Sequence, residues 1–395
     1  MKSVFWAQRK RWRQDFTPAR WSTRRRRDTL LLLILLLLAG LLIVELTSSP
    51  SRDRTGTVSG TSSLSVENTS LVRVVPIAHV TFARSTPLHV YSFGQTSPGL
   101  MQPSVDAHGN LWVGEMSANR LARLNTSTGQ VKTWEAPGGK NGIMTTTIDG
   151  KGIVWFVEQN ANYLGRFDPL TQHFQTFPLG TIKQRLMGPQ SLQFDARGLL
   201  WFTASASGDI GQLNPITGKI RTWSVPAPVS GTPAAPLSLA VTPTGQIWFG
   251  YLTGGTVGRL DPATGHVSLF HLGDPQATIF AITADRRGRV WFTELFPGRL
   301  GMIDLATNRV TLLSVPSIQN APPALYGLAA PPDGTIWFAD NAASLLVRYR
   351  PDQATFTFFS LSAANAPYDL TPGRSGTIWS TSSTSVVELR VRDVP

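Results

Sequence analysis

The chain has 395 residues, 42% of them hydrophobic and only 15% charged, with 35 Gly and 28 Pro, which excludes a peptide-sized module, a disordered chain and a helical bundle. Cysteine is absent, so disulfides, thiolate metal sites and thiol catalysis are excluded as well. The formal charge is +12, but ten basic and two acidic side chains crowd into residues 1–28; the remainder is close to neutral, which argues against nucleic acid as a partner.

Residues 1–28 read as a basic cytoplasmic tail. Leu30 to Val44 is an unbroken apolar run that directly follows Arg24, Arg25, Arg26 and Arg27. Extended by Thr29 and Leu46, the segment 29–46 predicts a single transmembrane signal anchor, at the short end of the roughly 20 residues a spanning helix needs. No small-x-small cleavage site follows the run. The excess of Lys and Arg on its N-terminal side predicts a single-pass membrane protein with the N-terminus cytoplasmic and everything after Leu46 extracytoplasmic. Residues 47–86 read as a Ser/Thr-rich spacer, too polar over 47–70 to bury a core, followed by an apolar leader strand within Leu71 to Phe82.

From there the chain repeats. Trp112, Trp155, Trp201, Trp248, Trp291, Trp337 and Trp379 are spaced by 43, 46, 47, 43, 46 and 42 residues. Each unit contains a Trp strand such as LWFTA or VWFTE, an alternating strand such as TVGRLDP, an Asx-Pro-Gly turn, and a last strand such as KIRTWSVP. Alternation with period two marks half-buried strands, and four strands at this repeat length make one propeller blade. The prediction is an all-β fold, a seven-bladed β-propeller over 87–395 with an N-terminal single transmembrane helix. The seventh unit lacks a fourth strand, whereas Pro87 to Phe93 resembles a fourth strand with no unit before it. The segment 87–93 is therefore expected to close the last blade and protect its edge.

The phrases Trp291-Phe292-Thr293-Glu294 and Val257-Gly258-Arg259-Leu260-Asp261-Pro262, with the strands that follow them, resemble the repeat of the virginiamycin B lyase (streptogramin lyase) propellers across about residues 87–395. That resemblance implies a seven-bladed propeller whose active members open the ester of a cyclic depsipeptide by elimination, with Mg2+. It also implies histidines eleven residues before the repeat Trp and an acid three residues after it, at the narrow end of a central funnel. Here the first position holds Met101, Met144, Gln190, Leu237, Phe280, Tyr326 and Tyr368. None is histidine, and neutral imidazole is the usual proton shuttle near neutrality. The second position holds Glu115, Glu158, Ala204, Tyr251, Glu294, Asp340 and Ser382, so four of seven blades keep the acid.

Glu115, Glu158, Glu294 and Asp340 are the candidate metal ligands, because oxygen donors suit a hard cation such as Mg2+. A purely structural role, accepting hydrogen bonds from loops, is the competing reading. Gln190, Phe280, Tyr326, Tyr368 and Tyr251 are the candidate ligand-binding residues of an apolar funnel floor. Arg123, Arg166, Arg259 and Arg348 recur at matching positions and point to a repeated structural role. No phosphate loop, HExxH or GxSxG phrase is present. Three functions are consistent with these features: a family relative that binds a small-molecule or peptide ligand, an active Mg2+-dependent carbon–oxygen lyase, and a scaffold for an envelope protein partner.

Overall fold

A computed structural model describes residues 98–391, apart from four short internal stretches, together with short strands between residues 59 and 94. The basic tail and the expected membrane anchor lie outside the described residues. No helix among the described residues is long and apolar enough to cross a membrane.

Two side-chain pairings recur between the second and third strands, and both are present in blades 2 and 4. On one face of the second strand the repeat Trp lies opposite an Arg of the third strand, as in Trp112 with Arg123, Trp155 with Arg166, Trp248 with Arg259 and Trp337 with Arg348. The guanidinium carbons lie 5.8, 5.9, 5.5 and 5.7 Å from the indole centres, a cation–π contact of about 0.5–2 kcal/mol. On the other face the Phe beside the Trp lies over a glycine of the third strand: Phe156 over Gly165, Phe202 over Gly211, Phe249 over Gly258, Phe292 over Gly301. A Cβ at any of these glycines would collide with the ring, so the WF and GR phrases are two halves of one packing unit. The recurrent arginines are accordingly part of the blade.

The Trp indole is held at both ends. An aromatic residue of the outer strand stacks on it in six blades, among them Trp223 on Trp201 at 5.1 Å and Phe270 on Trp248 at 5.0 Å. The indole N–H donates to an Asp six residues earlier in the first turn, from Trp112 to Asp106, Trp155 to Asp149, Trp201 to Asp195 and Trp291 to Asp285, at 2.9–3.1 Å. Burial works against ionisation of Asp106 and Asp195, but the surrounding N–H donors outweigh it and hold both carboxyls below their usual range.

Seven four-stranded sheets result, from Ser104–Val105, Leu111–Glu115, Arg120–Leu124 and Val131–Glu135 in blade 1 to Leu370–Pro372, Thr377–Thr381 and Ser385–Arg390 in blade 7. Blade 7 takes its outer strand from Leu88–Ser92, which pairs antiparallel with Ser385–Arg390. Tyr91 of that strand packs on Trp379 at 5.8 Å, in the place the outer-strand aromatic holds elsewhere. The first strands neighbour one another from blade to blade, including blade 7 to blade 1, and so close a ring around a central channel. Among the described residues helix is confined to short turns such as Arg374–Gly376.

The segment read as spacer and leader strand over 47–86 carries four short strands, two of them within Leu71 to Phe82 and two ahead of it. Ser59–Gly60, Leu64–Val66, Val72–Val75 and His79–Phe82 add as parallel fifth strands to the outer edges of blades 3, 4, 5 and 6 in turn. These four strands lie along the rim as a belt, and Val72 and Val75 pack against the apolar cores of successive blades. Composition could not show this, because an edge strand is held by its backbone ladder and leaves most side chains in solvent.

Blade 4 lacks the Asp: Thr242 stands there, and Trp248 Nε1 is buried without a hydrogen-bond partner among the described residues. Asp285→Ala, which strips the acceptor from Trp291 and from the Arg287 and Arg289 amides, should lower the unfolding free energy by about 3 kcal/mol. Thr242→Asp should raise it by about 1 kcal/mol. Urea denaturation of the two variants, with opposite shifts of the midpoint, is the check.

Candidate functional site

The first strands line the channel, and the residues expected on the funnel floor lie at one end of them. Ile279 pairs with Glu294 and Leu325 with Asp340, so Phe280 and Tyr326 lie beside the level of the acids and one strand closer to the axis. Phe280 and Tyr326 have ring centres 4.6 Å apart, and Tyr326 and Tyr368 5.6 Å apart in an edge-to-face arrangement. Residues from blades 5, 6 and 7 thus form one continuous aromatic arc. Burial pushes both tyrosine hydroxyls above their usual pKa, keeping them neutral donors.

The other two candidates are not in this arc. Gln190 is buried on the first strand of blade 3, where its carbonyl accepts the Thr145 hydroxyl at 2.7 Å. Tyr251 is fully buried in the core between blades, and its hydroxyl donates to the Pro226 carbonyl at 2.7 Å.

The four acids of the second strands are each engaged within their own blade. Glu115 pairs with Arg120 at 2.6 Å, and Glu294 pairs with Arg299. Glu158 accepts the Ala161 N–H, and Asp340 Oδ1 accepts those of Ala324 and Ala343 at 3.1 and 3.3 Å. Each acid therefore pins the hairpin that follows its strand, an arrangement that fits the structural reading. Burial pushes Glu294 up to about 7, although Arg299 lies against it, and Asp340 up to about 6, with the loop N–H groups offsetting only part. Among the described residues no three His, Asp or Glu side chains converge as a metal ion needs. Held on separate hairpins with no third ligand beside any of them among the described residues, these acids do not form a donor set for Mg2+, and no chemical step follows from one.

One residue of the site escapes the two positions read from the sequence. Asp369 follows Tyr368, ten residues before Trp379, where the other blades carry Gln102, Thr145, Ser191, Ser238, Ala281 and Gly327. It keeps some accessible surface because it borders the channel, yet protein atoms enclose it enough that desolvation pushes its carboxyl up to about 7. Its Oδ1 accepts the Leu370 N–H at 2.9 Å. Reading the column next to the expected histidines would have found it, since it is the only charged residue there. The six histidines occupy outer strands and turns, from His79 on the belt to His271 on the outer strand of blade 4.

A model of the virginiamycin B lyase family matches residues 70–346. The chain belongs to that family. Virginiamycin B lyase from Staphylococcus aureus superposes with a TM-score of 0.67 at 21% identity, covering 78% of this chain and 99% of the other. A streptogramin B lyase gives 0.69 at 24% identity, covering 78% and 97%. A catalytically inactive virginiamycin B lyase from Staphylococcus aureus with quinupristin gives 0.66 at 22%, covering 77% and 99%. At these identities the likeness to the solved structures is one of fold. No curated protein gives a significant match. This family member keeps the propeller and carries Phe280, Tyr326 and Tyr368 on or beside the inner strands of blades 5 to 7.

Glu294, Asp340 and Asp369 all hold protons in the folded chain at pH values where the unfolded chain has lost them. Stability should therefore be greatest near pH 4, fall as pH rises toward about 7, and level off above it. Asp340→Asn, which keeps the acceptor for Ala324, should flatten the part of the slope below about pH 6. Thermal melts of both proteins across this range provide the measurement.

Proposed function

We propose that this protein is a membrane-anchored, extracytoplasmic member of the virginiamycin B lyase family that binds a small-molecule or peptide ligand in its central funnel. The observation that carries the reading is the arc of Phe280, Tyr326 and Tyr368 at one end of the channel. Aromatic faces with neutral hydroxyl donors bind a ligand by apolar contact and hydrogen bonding. They supply no group that both takes and returns a proton near neutrality, as imidazole does. The apolar run 30–44 behind four arginines supports the anchor and its orientation. A tether suits capture of a ligand at the cell surface better than the work of a diffusing lyase.

A second reading, a scaffold for an envelope protein, draws on the rim. Val74 and Phe82 are 55% and 56% exposed on the belt, with Val80 and Val90 also exposed on blades 6 and 7.

Titrated with quinupristin in the presence and absence of Mg2+, the protein should give a saturable heat of binding that Tyr326→Ala abolishes, and the compound should be recovered intact by mass spectrometry and chromatography. A ring-opened isomer, at unchanged mass and shifted retention, would restore the lyase reading. Absence of any binding heat would overturn the funnel-binding reading in favour of the scaffold.

A further inference from the structure

A carboxylate without a matching charge stands at the aromatic end of the channel. Gly327, next to Tyr326, leaves the space that the Asp369 carboxyl fills, since a Cβ on Gly327 would collide with Oδ1. The carboxyl of blade 7 is thereby laid against the inner strand of blade 6, between the backbones that carry Tyr368 and Tyr326. Behind it, the Asp369 backbone is fixed by Thr381 N–H donating to its carbonyl at 2.9 Å and by the Ser380 hydroxyl at 3.0 Å. Oδ1 holds the Leu370 N–H, whereas Oδ2 has no hydrogen-bond partner and no cation lies within ion-pair reach among the described residues. The hydroxyls of Tyr326 and Tyr368 likewise make no hydrogen bond to a described residue.

Resting on the ligand-binding reading above, we infer that this end of the channel selects an organic cation, a primary or quaternary ammonium whose charge lies between the Asp369 carboxylate and the faces of Phe280, Tyr326 and Tyr368. An enclosed carboxylate without a counter-charge is costly, and a ligand that supplies the charge recovers that cost. Aromatic rings present their negative faces to a cation within about 6 Å, so the arc and the carboxylate favour the same sign of charge. A neutral ligand of equal size gains only the apolar contact, and an anion is repelled.

The groups facing Asp369 leave this sign unopposed. Its own strand brings Tyr368, the inner strand of blade 6 brings Tyr326, and the second strand of blade 6 brings Asp340, which is tied to Ala324. The strand behind, Thr377–Thr381, and the first strand of blade 1, Ser104–Val105, bring no ionisable side chain. Because the carboxyl titrates near neutrality, a cation binds with release of a proton, and its affinity rises with pH through about 7.

Isothermal titration of the full chain with benzyltrimethylammonium, benzyl alcohol and benzylsulfonate separates the possibilities. At about pH 8 the cation should bind about tenfold tighter than the alcohol, and the sulfonate not at all. Between about pH 8 and 6 the cation's affinity should fall about tenfold while the alcohol's is unchanged. Asp369→Asn, which keeps an acceptor for Leu370, should abolish both the preference and the pH dependence, leave benzyl alcohol binding as before, and melt no lower than the parent. Equal affinities for cation and alcohol, or a preference that survives Asp369→Asn, would overturn the cation assignment and leave the aromatic site standing. If none of the three probes binds, the ligand-binding reading falls together with it.

Discussion

The architecture rests on a two-sided contact between the second and third strands that recurs, with exchanged partners, from blade to blade. The Trp needs a flat cation or polar stem opposite it and an aromatic lid from the outer strand, while the neighbouring Phe needs a residue with no side chain at all. Both demands fall on adjacent residues of the third strand, which is why Gly and Arg appear side by side in blades 2 and 4. Where the pairing changes, the partner changes with it: Phe338 faces Val347 in blade 6, and Trp291 faces Met302 in blade 5. The repeat tolerates such exchanges because each blade buries its own contact and meets its neighbours through separate apolar packing and hydrogen bonds such as that of Thr293 to the Tyr326 carbonyl.

The propeller was legible because this contact imposes a period that survives divergence of everything else. Seven tryptophans at near-constant spacing, each with a turn Asp or its substitute ahead, define the blades without any long-range information. The belt was legible only as a leader strand within Leu71 to Phe82. Ser59–Gly60 and Leu64–Val66 belong to a stretch that reads as linker, and parallel pairing to a finished sheet needs neither apolar alternation nor a particular turn. At the site, Phe280, Tyr326 and Tyr368 could be found from the repeat position alone, since one column of the repeat supplies one level of the channel. Tyr251 could not be placed in that way, because a residue three beyond the Trp lies between blades. Asp369 went unseen for the opposite reason, standing one residue outside the column that the family resemblance singles out.

The buried acids separate two uses of one residue type. Glu115, Glu158, Glu294 and Asp340 hold hairpins, each with one oxygen directed at an arginine or an amide of its own blade. Asp369 is supported from behind by its backbone while its side chain lies against the inner strand of blade 6 beside Gly327. What distinguishes Asp369 here is that its one side-chain hydrogen bond among the described residues goes to the adjacent Leu370 N–H, so that it ties down no hairpin, and neither the degree of burial nor the pKa alone reveals this. The likeness to streptogramin lyases fixes the scaffold, and the residues grafted onto its inner strands set what the scaffold can hold.

The outer strand of blade 7 also imposes an order on assembly. Leu88–Ser92 is made before any blade, yet its partner Ser385–Arg390 lies almost at the other end of the chain. The belt strands wait in the same way, Val72 for Val310 and His79 for Thr355. A ribosome translating this chain therefore releases its earliest strands without partners and completes the ring only after the final repeat has emerged. Throughout synthesis the nascent protein carries an N-terminal segment whose strands have no partners yet, and Arg73 and His79, set among its apolar residues, are the side chains that work against pairing with other chains in the interval.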